Sequence, residues 1–259
     1  QMISLENGDI DVLINANLSA LSKLTTDKVK WETKDASSID HFKFNCNKGP
    51  AKDINFRKAV LCGINKEDVN IGVYEGKATV ADIPIASGFS GRPDEGTYEI
   101  IEYDPEKAKE YLAQSGYNGE EFKILTVSGT KDESAAQIIQ GQLIELGINC
   151  SVNAVDSASY FATFEQSGDY GASIRFGGVS VLDADGLFYQ YNSSYLLANG
   201  KYDAGTWSSD LDDKLQAARV EVDDAKRKLL YAEACDMITE NAFGTAIYYD
   251  VNACAYNAN

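Results

Sequence analysis

The chain has 259 residues, a length that fits one large domain or two ordinary ones. Apolar residues make up 44% of it and charged residues 24%, so it can bury a substantial core and is not a disordered tail. Its formal net charge of −17 repels nucleic-acid phosphates, and no apolar run approaches the length that spans a bilayer. Composition therefore argues against a nucleic-acid-binding protein and against a membrane-spanning one.

Neither the start of the chain nor its cysteines indicates a cellular compartment. No basic-then-apolar leader follows Gln1, so we expect any export leader to lie upstream of this sequence. The five cysteines have no close spacing and form no C-x-x-C motif, which gives no support for a zinc ribbon or a thioredoxin-like site. Most lie in apolar-patterned segments, where Cys is usually a small buried residue, and one disulfide of undetermined pairing stays open.

The first half of the chain predicts two helices and a long loop between them. Asn55–Asn65 carries its apolar residues at helical spacing, which predicts an amphipathic helix. Asp82–Gly96 contains two prolines and three glycines and predicts a long surface loop. Asp104 precedes Pro105 as an N-cap precedes the first residue of a helix, and Gly116 is placed to end that helix.

The central region alternates strands and helices. Its predicted elements are the strand Phe122–Val127, the helix Glu133–Leu146, the strand Ile148–Ala154, a helix capped by Asp156 and the strand Tyr170–Phe176. A β-α-β-α-β order predicts parallel strands with right-handed crossovers. Two more amphipathic helices follow, at Asp210–Val220 and Ala225–Thr239, and the second is expected to bury Leu229, Leu230, Ala234 and Met237.

The loops that follow the three predicted strands give a candidate binding site. In parallel sheets, ligands collect beyond the carboxyl ends of the strands, where successive loops converge. Here these loops are Ser128–Thr130, Val155–Asp156 and Gly177–Asp183. This places a site but specifies no chemistry.

Motifs for catalysis or phosphate binding are weak. The single histidine, His41, lies in a strand-like segment, so a catalytic triad would depend on it alone, and a structural role is favoured. Gly177 and Gly178 follow a strand but lack the Lys-Ser/Thr of a Walker motif and the third glycine of a dinucleotide-binding motif. The pair is equally consistent with close backbone approach to a ligand and with a simple turn.

Acidic and aromatic residues after the last predicted strand admit more than one interpretation. Asp183 and Asp185 match a fragment of a calcium loop, but the further ligands are missing, and Asp183 is better explained as the cap of a helix over Ala184–Tyr191. Arg175, near the end of an interior strand, is expected either to face an anionic ligand group or to form a structural ion pair. A cluster of aromatic residues is the better candidate for a ligand wall, whereas Tyr111, Tyr231 and Tyr248 are expected in the core. The cluster comprises Tyr189, Tyr191, Tyr195, Tyr202 and Trp207.

Short motifs also occur in a characteristic order along the chain. They are a G-[DE]-[IL]-D pattern in Leu5–Val12, an l-x-f-N strand at Phe42–Asn45, a d-x-x-v-R-x-A helix at Ile54–Ala59 and a v-y-x-g-x-a…p-i stretch over Val73–Ile85. Each is weak alone, but their order and spacing together are specific. Through them nearly the whole chain resembles the second half of an extracytoplasmic solute-binding protein of family 5, the peptide/nickel type that serves ABC importers.

The resemblance implies an α/β fold, namely a type II periplasmic-binding-protein lobe with a central mixed, partly parallel sheet flanked by helices. It implies a crossover or hinge segment over residues 1–38, the ligand-binding lobe II over 39–250, and the start of the return to lobe I over 251–259. The rest of lobe I would lie outside this sequence. The implied partners are a peptide or other small solute and ABC permease subunits, with no cofactor, metal or nucleic acid. The implied location is the periplasm or the outer cell surface, with membrane contact only through a lipid anchor outside this fragment.

The chain departs from the family pattern where peptide-binding members hold their ligand. They often carry W-x-x-D before a D-P-D, and the first Asp pairs with the peptide α-amine. Here Val179 or Ser180 replaces that acid, and Phe176 or Gly177 replaces the Trp. Dipeptide binders also offer an Arg where this chain has Ser128–Thr130. A buried ammonium without a carboxylate is costly, so a longer peptide or a non-peptide solute is favoured over a free-amine dipeptide.

These considerations predict a non-enzymatic binding protein and one set of ligand-contacting residues. The runner-up function is a metal-dependent hydrolase that uses Asp183 or Asp185, and a further one is a transport-unlinked sensor on the same fold. The candidate ligand-binding residues are Ser128, Thr130, Arg175, Phe176, Gly177, Gly178, Ser180, Asp183 and Tyr189.

Overall fold

The computed structural model describes residues 1–16, 18–24, 26–178, 182–194 and 209–258. Its strands form one mixed sheet in the order β1-β7-β2-β6-β4-β5, and β3 pairs with the outer side of β7. The strands are β1 Val12–Ile14, β2 Val29–Phe44, β3 Thr79–Val80, β4 Phe122–Val127, β5 Cys150–Val155, β6 Ala172–Gly178 and β7 Gly244–Asn257.

The β4-β5-β6 part of the sheet confirms the prediction from the sequence. β4 pairs in parallel with both β5 and β6, and it has the predicted bounds Phe122–Val127. β6 then pairs antiparallel with β2, and β2 pairs antiparallel with β7. The sheet is therefore mixed, with its parallel part on one side and two long antiparallel strands in the middle.

Helices cover the sheet. They are α1 Met2–Glu6, α2 Leu18–Leu21, α3 Ile54–Gly63, α4 Lys66–Tyr74, α5 Pro105–Gln114, α6 Lys131–Glu145, α7 Ser157–Ala162, α8 Ala184–Phe188, α9 Ser209–Val220 and α10 Asp224–Glu240. Three short non-α turns supplement them, at Gly49–Lys52, Thr163–Ser167 and Tyr189–Tyr191.

Side-chain caps define where several helices begin. The Asp104 carboxylate accepts a hydrogen bond from the backbone N–H of Lys107, with Pro105 in the first helical position as predicted. Asp156 caps α7 in the same way. At the other end of α5, Gly116 has φ +69°, a left-handed conformation that glycine adopts without strain.

The core lies between the sheet and its helices, and most predicted apolar faces are buried in it. The buried faces of α3, β4 and α6 include Phe56, Ala59, Val60, Phe122, Ile124, Ile139 and Leu143, and Ile64 is buried directly after α3. One prediction is wrong: Leu229 is 56% exposed. α10 instead buries Tyr231, Ala234, Cys235 and Ile238, which share the i, i+3, i+4, i+7 spacing, and Leu229 lies on the opposite side of this helix. All five cysteines are free thiols, and only Cys254 is not fully buried.

The prediction of a surface loop over Asp82–Gly96 is wrong in part. The segment is irregular, but Ile83, Ile85 and Phe89 are buried in the core. The Asp82 carboxylate holds its start through hydrogen bonds from Arg92, Tyr98 and Tyr249. Glycine and proline predict the absence of regular structure, and they do not predict exposure.

The long strands β2 and β7 extend beyond the main core to a second, smaller one. Their pairing is interrupted by register shifts between Asp35 and Ile39 and again between Ile39 and His41. Beyond the first shift, apolar residues from both ends of the chain form a separate cluster. Its buried members are Leu5, Ala16, Leu21, Val29, Ala253 and Ala255.

Candidate functional site

The predicted loops converge at the edge of the sheet where the parallel strands end. The Ser128 N–H donates a 2.8 Å hydrogen bond to the Val155 carbonyl, which joins the ends of β4 and β5. At the end of β6, Gly177 pairs with Ile39 of β2, close to the register shifts. The carboxyl ends of the parallel strands and the bends of the long strands therefore lie in one region.

The turn after β4 is held by its own side chains. Gly129 has φ +72°, and its N–H donates to the Glu133 carboxylate at 2.6 Å. The Thr130 hydroxyl donates to the Val127 carbonyl at 2.6 Å, so this group stabilises the turn. Ser128, Gly129 and Thr130 are all exposed.

A cluster of charged residues that the sequence analysis missed lies beneath this turn. The Lys131 ammonium, at the start of α6, lies 2.7 Å from the Asp250 carboxylate of β7 and 3.7 Å from the Asp40 carboxylate of β2. It also lies 2.5 Å from the Tyr74 hydroxyl, and that hydroxyl donates to Asp250. Lys131 thus connects the turn to both long strands.

The two carboxylates of this cluster differ in their environments. Burial raises the pKa of Asp40 well above its ordinary value, and the positive charge of Lys131 only partly opposes that rise. Burial acts on Asp250 too, but hydrogen bonds from Lys131 and Tyr74 outweigh it and lower its pKa. Asp250 is therefore the principal anionic partner of Lys131. The sequence shows only an acidic residue within each of two strands, and it gives no indication that their partner lies about 90 and 120 positions away.

Arg175 and His41 lie beside the same edge. The Arg175 guanidinium stacks on the Phe161 ring, 4.4 Å from its centroid, and lies 5.4 Å from that of Tyr160. The predicted alternative of a structural ion pair is not found for it among the described residues. His41 is buried in β2 opposite Arg175, and burial together with the charge of Lys43 lowers its pKa well below the ordinary value.

Asp183 and Asp185 are engaged by arginines. The Asp183 carboxylate receives two hydrogen bonds from Arg227, of 2.9 and 2.7 Å, which keep its pKa low. It also accepts the N–H of Asp185 at the start of α8, as the predicted cap requires. Asp185 pairs with Arg219 at 2.9 Å. Within the described ranges no group of three or more His, Cys, Asp or Glu side chains could hold a metal ion.

Of the predicted aromatic ligand wall, the structure describes the side chain of Tyr191 alone. Tyr191 is only 1% exposed, because the short turn after α8 directs its ring into the core beside Phe188. That part of the prediction is wrong, whereas Tyr231 and Tyr248 are buried as expected. For Phe176, Gly178 and Tyr189 the structure gives the backbone course only. The residues named in the sequence analysis that lie outside the described part of the chain are Val179, Ser180, Tyr195, Tyr202 and Trp207.

The sequence is similar to a known protein family and to individual proteins of known binding function. Residues 1–197 match the family described as bacterial extracellular solute-binding proteins, family 5 Middle. The heme-binding protein A of Haemophilus influenzae is 28% identical over 163 residues, which cover 60% of this chain and 29% of that protein. The dipeptide-binding protein of Escherichia coli is 23% identical over 238 residues, which cover 89% and 44%.

A solved structure shows the same fold. The periplasmic binding protein DppA from Helicobacter pylori, in complex with the peptide STSA, superposes with a TM-score of 0.83 at 23% identity. The superposition covers 99% of this chain and 50% of that one, so the chain spans about half the length of such relatives. No helix in the described part of the chain is long and apolar enough to cross a bilayer.

Proposed function

Because this chain belongs to the bacterial extracellular solute-binding proteins of family 5, we propose that it provides the ligand-binding lobe of an ABC importer's substrate-binding component. The family match over residues 1–197 carries this proposal. The type II periplasmic-binding-protein fold supports it, since in this fold a solute binds between two lobes. The protein would act outside the cytoplasm without catalysing a reaction, and a lipid anchor outside this fragment would hold it at the membrane.

The proposed lobe comprises residues 39–250, with a hinge segment over 1–38 and a return toward the other lobe over 251–259. The register shift between Asp35 and Ile39 supports the first boundary, because it bends the paired long strands at that point. The separate apolar cluster beyond the shift supports it as well. Ile3 and Ile14, which are 72% and 71% exposed there, would be covered by the rest of the other lobe.

The proposed ligand is a peptide or another small solute that contacts the edge formed by the ends of β4 and β6. Lys131 and Asp183 are already paired within the lobe, so among the described candidates its contacts would be Ser128, Arg175 and the Gly177–Gly178 backbone. Phe176, Ser180 and Tyr189 stay in the proposed set. A free-amine dipeptide fits poorly, because the Asp183 carboxylate is already hydrogen-bonded to Arg227 and does not remain to pair with the ammonium of the ligand. We therefore favour a longer peptide held through its backbone or a non-peptide solute.

Binding would act through closure of the two lobes. A solute that makes additional contacts in the closed form shifts the equilibrium toward that form, and the permease would then receive the closed complex. Strands that cross between lobes and bend at a register shift are suitable hinges, because a small change at the bend moves a whole lobe.

The test is to purify the natural protein with both lobes, release any retained solute by denaturation and identify it by mass spectrometry. Calorimetry then compares binding of that solute to the two-lobed protein and to the 259-residue chain. We expect much weaker binding by the single lobe. Equal affinities would contradict closure, and a two-lobed protein that retains no solute would contradict the binding function.

A further inference from the structure

His41 and Arg175 lie opposite each other on neighbouring strands of the sheet. The register of β2 and β6 pairs the two residues directly. In an antiparallel pair, residues in register project from the same face, with Cβ atoms about 4.5–5.5 Å apart. An imidazole and a guanidinium are therefore adjacent on one face of the sheet, three residues before the end of β6.

The imidazole of His41 has no hydrogen-bond partner within the part of the chain that the structure describes. It is 3% exposed, and neither Nδ1 nor Nε2 is bonded. Buried polar groups are nearly always paired, and an unpaired one costs free energy. Both ring nitrogens of His41 are therefore available to a group that the chain itself does not supply.

The guanidinium of Arg175 is held in place yet lacks an anionic partner among the described residues. The guanidinium carbon lies 4.4 Å from the centroid of the Phe161 ring, and this cation–π contact holds the group beside the edge. The chain has 40 acidic residues against 23 basic ones, so an arginine without a carboxylate is unexpected. Arg227 and Arg219, in contrast, each have an aspartate.

Gly177 lies next to the imidazole of His41. It follows Arg175 on the same face of β6. A Cβ atom at Gly177 would lie 3.3 Å from Cδ2 of His41 and would crowd the ring. Glycine at this position therefore avoids a close contact with the imidazole at the edge of the candidate site.

We propose that His41 and Arg175 together bind a carboxylate or phosphate group of the solute. The planar guanidinium offers paired N–H donors to two oxygens, and the imidazole N–H donates to one of them. This inference rests on the proposed function and narrows its ligand class to an anionic solute. Lys43, on the same strand as His41, is bonded to Gln190 and lies over the Tyr191 ring, and it serves the fold.

The test uses the natural two-lobed protein with isotopically labelled histidine. It is titrated separately with sodium acetate and with sodium phosphate, and NMR monitors the imidazole signals at each step. Sodium chloride at matched ionic strength is the reference, and the variant H41Q assigns the signal. We expect a saturable shift of the His41 signal with one of the two anions. The anion that saturates distinguishes a carboxylate ligand from a phosphate ligand. In the variant R175Q, the dissociation constant of that anion should rise at least about tenfold.

The matched control is R219Q, the same substitution at an arginine paired with Asp185, and it should respond as the wild type does. If R175Q does not fold, R175K keeps the charge but loses the paired donors, and it should also bind more weakly. No saturable shift with either anion, or an unchanged response in R175Q, would overturn the proposal. Those outcomes would not contradict the proposed function, because a solute could still bind elsewhere in the cleft. Conversely, a two-lobed protein that retains no solute would contradict the proposed function without deciding the outcome of this titration.

Discussion

The ammonium of Lys131 lies 2.7 Å from the carboxylate of Asp250, and this contact joins the start of α6 to β7 beside the register shift. Lys131 directly follows the turn Ser128–Thr130, which belongs to the proposed binding edge. A movement of the long strands at their bend therefore acts on this turn through one ion pair. Ser38 strengthens the connection by donating to the other oxygen of Asp250 at 3.2 Å.

Replacing Lys131 with Met should destabilise the protein by about 2–4 kcal/mol, because it leaves buried carboxylates without their cation. Asp40 is 0% and Asp250 18% exposed at the side chain, so water compensates little. Urea unfolding measures the free energy. The control is K109M, which removes the exposed pair of Lys109 with Glu106 and should cost less than about 0.5 kcal/mol. Equal losses in the two variants would show that the Lys131 cluster contributes no more than a surface pair.

The two aspartates at the start of α8 should respond differently to the same substitution. Asp183→Asn removes the charge from a two-point hydrogen-bonded pair with Arg227, whose side chain is only 13% exposed, and should cost about 1–3 kcal/mol. Asp185→Asn affects a more exposed single contact with Arg219 and should cost less than about 1 kcal/mol. Thermal unfolding of both variants tests this. A larger loss for Asp185→Asn would contradict the assignment of Asp183 as the anchor of this segment.

Stability should fall between about pH 4 and pH 2 partly through Asp82. Burial alone would raise its pKa, but hydrogen bonds from Tyr249 and Tyr98 and the charge of Arg92 hold it at about 2, below the ordinary 3.8. A depressed folded-state pKa stabilises the protein above the unfolded-state pKa, and this contribution is lost as the pH falls through the folded-state value. The contribution is on the order of 2 kcal/mol.

Urea unfolding of D82N at several pH values between 6 and 2.5 checks the role of Asp82. The variant should be less stable than the wild type at pH 6 and should lose less stability on acidification. The control D94N alters an aspartate that is 73% exposed and should stay within about 0.5 kcal/mol of the wild type at pH 6. If the free energy of unfolding of D82N falls with pH as steeply as that of the wild type, the acid sensitivity belongs to other carboxylates.

Local signals in the sequence predicted the elements that depend on neighbouring residues. The caps Asp104 and Asp156 and the strand Phe122–Val127 follow from residues within one turn or one strand. The parallel pairing of β4 with β5 and β6 follows from the order of these elements. Each of these predictions needs information from a short stretch of chain only.

Long-range partners could not be predicted, and they carry much of the site. Arg57 was noticed as part of a motif, but its role depends on residues nearly 200 positions away. The buried guanidinium donates to the carbonyls of Ala51 and Lys52, and also to those of Asn241 and Ala242. No periodicity reveals such bonds, because they arise only when the elements pack. The pairs Lys131–Asp250 and Arg227–Asp183 were missed for the same reason.

Two glycines should respond in opposite directions to alanine. Gly244 starts β7 against β2, and a Cβ atom there would lie 2.3 Å from the Phe42 carbonyl oxygen. Gly244→Ala must therefore displace backbone in the middle of the sheet and should cost about 2 kcal/mol or more. Gly141 lies in α6, where an added Cβ would meet no atom within 4 Å. Gly141→Ala should stabilise the protein by about 0.5–1 kcal/mol, because alanine favours the helix and restricts the unfolded chain.

Thermal and urea unfolding of both variants measure these changes. Far-ultraviolet circular dichroism establishes first that each variant keeps its secondary structure. Because β2 and β7 are the proposed crossing strands, Gly244→Ala should also reduce retention of solute by the two-lobed protein, whereas Gly141→Ala should leave it unchanged. If Gly244→Ala is as stable as the wild type, then β2 and β7 do not approach each other at Phe42 as closely as the structure shows.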